Sequence, residues 1–176
     1  MTYTTVPYTE YLKQTLTLLK NPGVFLVTAG LDGQANAMVI GWALVGPVWG
    51  KTIMTVMVRP SRYSFALIDQ SDSFTVCLPT PAMRPAIDYC GKYSGRNGNK
   101  LLACGLALEP STLVKTPGIT GCPVIYECRI VHKNDVVPTA LTPDITAYPR
   151  GDYHRMYYGE ILAVRALPDA ATLLQS

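Results

Sequence analysis

The sequence predicts a mainly β protein with helical decorations, built as an antiparallel barrel. Short apolar runs of strand length recur along the chain, helical spacing is confined to its start and middle, and most successive strand signals have no helix between them. A doubly wound parallel sheet would need a helix at nearly every crossover, so the antiparallel arrangement is preferred. At 176 residues, one domain over 1–176 suffices.

The elements follow in order. Thr9 to Lys20 carries Tyr11, Leu12, Leu16 and Leu19 at helical spacing before Asn21-Pro22-Gly23 ends the run, so a helix is predicted over about 9–20. The barrel is predicted over about 24–166. Val24 to Ala29 and Asn36 to Leu44 flank the turn Leu31-Asp32-Gly33-Gln34 and read as a hairpin. Lys51 to Val58 is apolar at both alternating sets of positions, which suits a central strand. Pro60 stops it, since proline cannot donate to a ladder, and a helix is expected over Ser61 to Gln70 with Ser61 as N-cap. Phe74 to Leu78 reads as a buried strand. The prolines at 79, 81 and 85 lead into a helix from about Arg84 to Cys90, and Lys100 to Leu106 reads as one more helical turn. Strands resume at Val124 to Lys133 and Tyr153 to Ala166, with Asn134 to Arg150 expected as a surface excursion.

Composition narrows the function classes. Hydrophobic residues make up 48% and charged residues 15%, a polarity low enough to predict that part of the surface is buried against a second copy, in a homodimer. The net charge of +3 arises from scattered residues without a basic stripe, which argues against nucleic acid and suits a small anionic ligand. No apolar stretch reaches the length of a membrane span, and the first ten residues lack the pattern of a signal peptide, so a cytoplasmic location is expected. The cysteines at 77, 90, 104, 122 and 128 show no CxxC spacing, and no metal site is expected. Each reads first as a small buried apolar residue. Gly91 to Gly98 is glycine-rich but follows a helix and not a strand, which argues against a dinucleotide-binding turn.

Three stretches carry chemistry. Val58-Arg59-Pro60-Ser61-Arg62-Tyr63-Ser64 is a strand end opening into a helix N-terminus, where unpaired N–H groups and arginines favour a phosphate; an ordinary capped helix with solvated arginines fits it equally. Ser94-Gly95-Arg96-Asn97-Gly98-Asn99-Lys100 allows close backbone approach and adds positive charge, as a second wall of the same site or as a plain turn. Asn36 to Trp42 is a strand ending in Gly41 and Trp42, suited to a flat aromatic ligand or to simple packing. Tyr153 and His154, before the last strand, are candidates for contact with a substrate or a partner subunit, although a lone histidine there also reads as a surface residue. Cys90, near Lys92 and Arg96, is a weaker candidate for a redox thiol.

In combination, NAMVIGW, TIMTVMVRPSRYS, DSFTVCLP, YCGKYSGRNGNK and YPRGDYHRMYYGEILAV resemble the flavoredoxin branch of the flavin reductase-like, FMN-binding split-barrel family, over roughly Pro22 to Val164. The resemblance implies an antiparallel six-stranded split β-barrel, a homodimer and one FMN per subunit near the dimer interface. It implies that Asn36, Met38, Ile40, Gly41 and Trp42 line the isoalloxazine. Val58, Arg59, Ser61, Arg62 and Tyr63 would meet the ribityl chain and phosphate, and Cys90, Ser94, Gly95, Arg96 and Lys100 would close the phosphate end. Two positions depart from the family pattern. Ile40 stands where many members carry threonine, and Asn97 or Asn99 where many carry aspartate.

The implied activity is an FMN-dependent oxidoreductase that takes electrons from NADH, NADPH or a redox protein and passes them to a small-molecule or protein acceptor. The flavin carries the reaction, so no catalytic acid or base is expected among the side chains. Two alternatives stay open: a flavin-binding electron carrier without turnover, and a related barrel holding another planar cofactor such as haem. A nitro-group or drug-inactivating reductase would differ only in its acceptor.

Overall fold

A computed structural model of the chain describes residues 2–175. Its main sheet has eight strands, paired antiparallel throughout: β1 (Thr4–Val6), β2 (Val24–Ala29), β3 (Ala35–Ile40), β4 (Ala43–Val48), β5 (Lys51–Val58), β6 (Ser73–Leu78), β9 (Val124–Asp135) and β10 (Arg155–Ala166). The order is β3-β2-β6-β9-β10-β5-β4, with β1 beside the far end of β10. A short ribbon of β7 (Leu108–Glu109) and β8 (Gly118–Ile119) lies apart. The helices are α1 (Leu12–Lys20), α2 (Tyr63–Gln70), α3 (Arg84–Lys92), α4 (Lys100–Ala103) and α5 (Ala170–Leu173).

The expected class holds, mainly β and antiparallel, but the strand count is eight and the sheet is open in its pairing, ending at β3 and β4. Two strands account for the excess. β1 has only three residues, too few for a periodic signal. β4 contains Gly46 and Pro47, which read as breakers; Pro47 is tolerated because β4 is a terminal strand and needs no second ladder. The apolar run from Asn36 to Leu44 is accordingly two strands, bent at Gly41-Trp42.

β2 is buried on both faces because the sheet is covered on both. Its Val24 and Leu26 face an inner core with Met38, Met54, Val56, Phe74, Tyr126 and Tyr157. Its Phe25 and Val27 face an outer core with Ile125, Ala86, Ile87 and Leu101, where α3 and α4 pack on the sheet. β9 and β10 are the longest strands, at 12 residues each, and their register shifts at Tyr158/Gly159 and at Ile161/Ala163. Gly159 is required at that first shift, since a Cβ there would lie 2.5 Å from Phe74 Cζ and 2.8 Å from Cys128 Cβ.

β10 is shared along its length. Its first half pairs with β5 from Arg155 to Glu160, and its second half pairs with β1 from Val164 to Ala166. The strand end of β5 is thereby held beside the start of β10, and the turn after β5 lies against the segment before β10. No helix among the described residues is long and apolar enough to cross a membrane.

Candidate functional site

β5 ends at Val58, Arg59-Pro60 follow, and α2 begins after Arg62. The helix start differs from the sequence expectation. Ser61 does not cap α2, because its N–H and hydroxyl both donate to the Asp152 carboxylate, at 3.1 and 2.6 Å. Arg62 takes the N-cap position, with no side-chain hydrogen bond to the first turn of the helix. That first turn, with Ser61, Arg62, Tyr63 and Ser64, forms one wall of a cleft of about 230 Å³.

The opposite wall is the end of α3 and the segment after it. Gly91, Lys92, Tyr93, Ser94, Gly95, Arg96 and Lys100 line it, and Asn36 and Met38 of β3 form the floor. Four cations, Arg62, Lys92, Arg96 and Lys100, and no carboxylate stand among the described residues of this lining. Arg96 donates from Nη1 to the Ser61 carbonyl at 2.8 Å, closing one wall against the other. Lys100 is only 4% exposed, and its Nζ donates to the Cys90 carbonyl at 3.1 Å. Burial, then the neighbouring Arg62, lowers the Lys100 pKa against the opposing pull of Cys90 and Cys104. Arg62 is likewise lowered, first by burial and then by Arg59. The cleft therefore holds its positive charge at a cost that an anion would relieve.

A second cleft, of about 210 Å³, adjoins the first and shares Met38 and Arg62 with it. Its floor is the end of β3, with Met38, Val39, Ile40 and Gly41, and its walls are Trp42, Met57, Arg59 and His154. The rings of Trp42 and His154 lie 5.1 Å apart. His154 is only 9% exposed, and the Tyr148 hydroxyl lies 2.8 Å from its Nδ1. Burial, with repulsion from Arg59, pushes its pKa down to about 4, so the imidazole is neutral at pH 7. Arg59 is anchored through Nη2 to the Ala147 carbonyl at 3.0 Å and lies over the Tyr148 ring.

The structure thus brings together Asn36, Met38, Ile40, Gly41, Trp42, Arg59, Ser61, Arg62, Tyr63, Ser94, Gly95, Arg96, Lys100 and His154 around two joined clefts. It does not bring Val58, Cys90 or Tyr153 to either lining. Val58 points into the inner core, because strand parity sends Met57 and Arg59 to the cleft side instead. Cys90 is fully buried in the outer core and contributes only its carbonyl; burial, with Cys104 beside it, pushes its thiol up to about 12, which removes the redox-thiol reading. Tyr153 packs on Tyr148 at 4.8 Å. The surface reading of His154 is also overturned. Sequence reasoning missed Met57, whose alternation with Arg59 was the available signal, and left Lys92 and Tyr93 out of the site although both stand in the glycine-bearing loop it singled out.

An antiparallel β protein with an apolar-floored cleft, walled by Trp42, His154 and Arg59, running into a cation-lined one is the class that fold and site define. The flavin reductase like domain matches residues 21–175, and the chain belongs to that family. It is 29% identical over 140 residues to an uncharacterised protein of Archaeoglobus fulgidus, covering 80% of this chain and 70% of that one. Its fold is similar to flavoredoxin of Desulfovibrio vulgaris (Miyazaki F), with a TM-score of 0.68 and 24% identity over 84% of this chain and 70% of that chain. It is also similar to flavoredoxin from Methanosarcina acetivorans, with a TM-score of 0.66 and 27% identity over 84% of this chain and 69% of that chain.

Proposed function

We propose that the chain is an FMN-dependent oxidoreductase, with the flavin ring in the cleft floored by the end of β3 and the phosphate in the cationic one. The observation that carries this reading is the junction itself: the clefts share Met38 and Arg62, so one ligand with a flat apolar end and an anionic end spans both. The residues fit the group on two further counts. The cationic lining is a phosphate donor set, including the start of α2, whose N-terminal dipole adds to it. Gly95 lets the segment after α3 close tightly on the floor and the first wall, since a Cβ there would lie 2.5 Å from both Asn36 Oδ1 and Tyr63 Cδ1.

Bound FMN supplies reversible uptake of a hydride or of single electrons, which no side chain of the site offers. The protein's part is to bind and orient. Arg62, Arg96 and Lys100 hold the phosphate, with Ser64, whose Oγ accepts from Asn36 Nδ2 at 2.8 Å, completing the corner. Met38, Ile40 and Gly41 give the ring an apolar floor, and Trp42 and neutral His154 stand as its wall. Reduced nicotinamide is the proposed donor, and a second copy of the chain the proposed partner, with exposed Leu16, Trp42, Leu44 and Trp49 as the surface it would cover.

The test is spectroscopic. Purified protein reconstituted with FMN should show bound-flavin absorbance, and anaerobic NADH or NADPH should bleach it catalytically when an acceptor is supplied. Absence of flavin binding overturns the reading. Binding without bleaching by either nucleotide assigns the chain to the electron-carrier class. Sedimentation of the same sample tests the dimer.

A further inference from the structure

Resting on the flavin reading above, we infer that the cationic cleft continues onto an exposed aromatic ledge at the C-terminal end of α3, formed by Tyr89 and the following Tyr93, which takes an adenine ring carried on a pyrophosphate. The two tyrosines stand one helical turn apart with ring centroids 4.5 Å apart and an interplanar angle of 34°. They are 37% and 47% exposed. Two stacked rings held at the surface present a flat apolar face to solvent.

The ledge is continuous with the site. Tyr93 itself lines the cationic cleft beside Lys92, whose Nζ lies 5.6 Å from the Tyr93 ring centroid. A group leaving the phosphate position toward α3 therefore meets a cation and then an aromatic face, the pairing on which nucleobases stack. The ledge is flanked by exposed charges. Lys92 is exposed, and the neighbouring turn of α3 carries the exposed Arg84–Asp88 ion pair.

Charge points the same way. A phosphate monoester brings about two negative charges, whereas the cleft lining carries Arg62, Lys92, Arg96 and Lys100 without a carboxylate among the described residues. The surplus lies on the α3 side, where Lys92 is, and fits a further phosphoryl group. FAD and a reduced nicotinamide dinucleotide share this chemistry, an adenosine joined through a pyrophosphate.

Two titrations separate the sources, with Tyr89→Ala as the probe because Tyr89 lies outside both clefts. Apoprotein is titrated with FMN and with FAD, and FMN-loaded protein is assayed anaerobically for the KM of NADH and NADPH. In Y89A, the FMN Kd should stay within twofold, while the FAD Kd or the nicotinamide KM rises about tenfold. Tyr89→Phe should restore the wild-type value, since it keeps the stacking face. A rise for FAD identifies the flavin dinucleotide as the occupant, and a rise in KM identifies the nicotinamide. No change in either, or equal weakening of FMN, overturns the ledge while FMN binding stands. Failure of wild-type protein to bind FMN or FAD overturns the flavin reading itself.

Discussion

Arg96 donates to the Ser61 carbonyl at 2.8 Å and so ties the glycine-bearing segment after α3 to the corner between β5 and α2. The guanidinium also lies over the Tyr63 ring, 5.9 Å from its centroid. One side chain therefore closes the cationic cleft and supplies one of its charges. Arg96 is exposed, so Arg96→Ala removes a ligand donor without emptying the core. FMN affinity should fall roughly ten- to hundredfold, the range for a lost charged hydrogen bond, with thermal stability of the apoprotein changed by less than about 0.5 kcal/mol. Fluorescence titration and a melting curve check both. Full retention of flavin would remove Arg96 from the site.

Lys100 behaves differently from Arg96 although the two read alike in sequence. Its amine is buried against the Cys90 carbonyl. Lys100→Ala should therefore cost stability as well as flavin, by about 1–3 kcal/mol for the carbonyl left unsatisfied. Comparing the melts of the R96A and K100A apoproteins checks this. Equal melts would show that the Lys100 contact contributes nothing to the fold.

Gly95 offers a steric test of the same corner. A Cβ at this position would lie 2.5 Å from Asn36 Oδ1, and Asn36 in turn donates to Ser64 at 2.8 Å. Gly95→Ala should push the segment off the floor of the cleft and misalign Arg96. FMN affinity should drop at least tenfold while circular dichroism stays unchanged. Unaltered affinity would mean that the segment is free to shift, and that its glycine is a turn residue only.

Much of this arrangement was legible because it depends on local pattern. The apolar runs of β2 and β5, the alternation in β10, the Pro60 stop and the cation-bearing segment at 94–100 each follow from neighbours in the chain. What escaped depends on remote partners. Val58 was read as a ligand contact, yet parity along β5 turns Met57 and Arg59 to the cleft. Ser61 looked like a cap until Asp152, from the segment that leads into the neighbouring β10, came into place to accept its hydrogen bonds. His154 looked solvent-exposed because its cover, Trp42 and Tyr148, reaches it from other segments. β4 was hidden by Gly46-Pro47, whose meaning changes once the strand is known to be terminal.

A buried ion pair fixes the loop that follows β7. Glu127 is fully buried, with Arg165 Nε at 2.6 Å and the backbone N–H groups of Thr112 and Leu113 donating to it at 2.9 and 2.7 Å. Glu127→Ala strands a buried guanidinium and two amides, and should cost about 3–5 kcal/mol, far more than a surface pair. Urea denaturation measures it. A loss below about 1 kcal/mol would mean that water enters and replaces the carboxylate.

His154 makes stability depend on pH in a window that follows from its burial. An unfolded histidine titrates near 6.5. In the native protein, burial and then Arg59 hold the imidazole down to about 4, against the opposing pull of Asp152. Between these values the unfolded chain binds a proton that the native chain does not, so stability falls as pH drops through 6.5 and the fall levels off below about 4. The expected loss from pH 7 to pH 4.5 is roughly 2 kcal/mol. Asp69, Asp135 and Glu160, whose pKa values are lowered, add their own acid sensitivity at lower pH. His154→Gln isolates the imidazole, because those carboxylates are common to both proteins. The difference in unfolding free energy between wild type and H154Q should shrink by that amount from pH 7 to pH 4.5. Parallel pH profiles would mean that the imidazole is open to water.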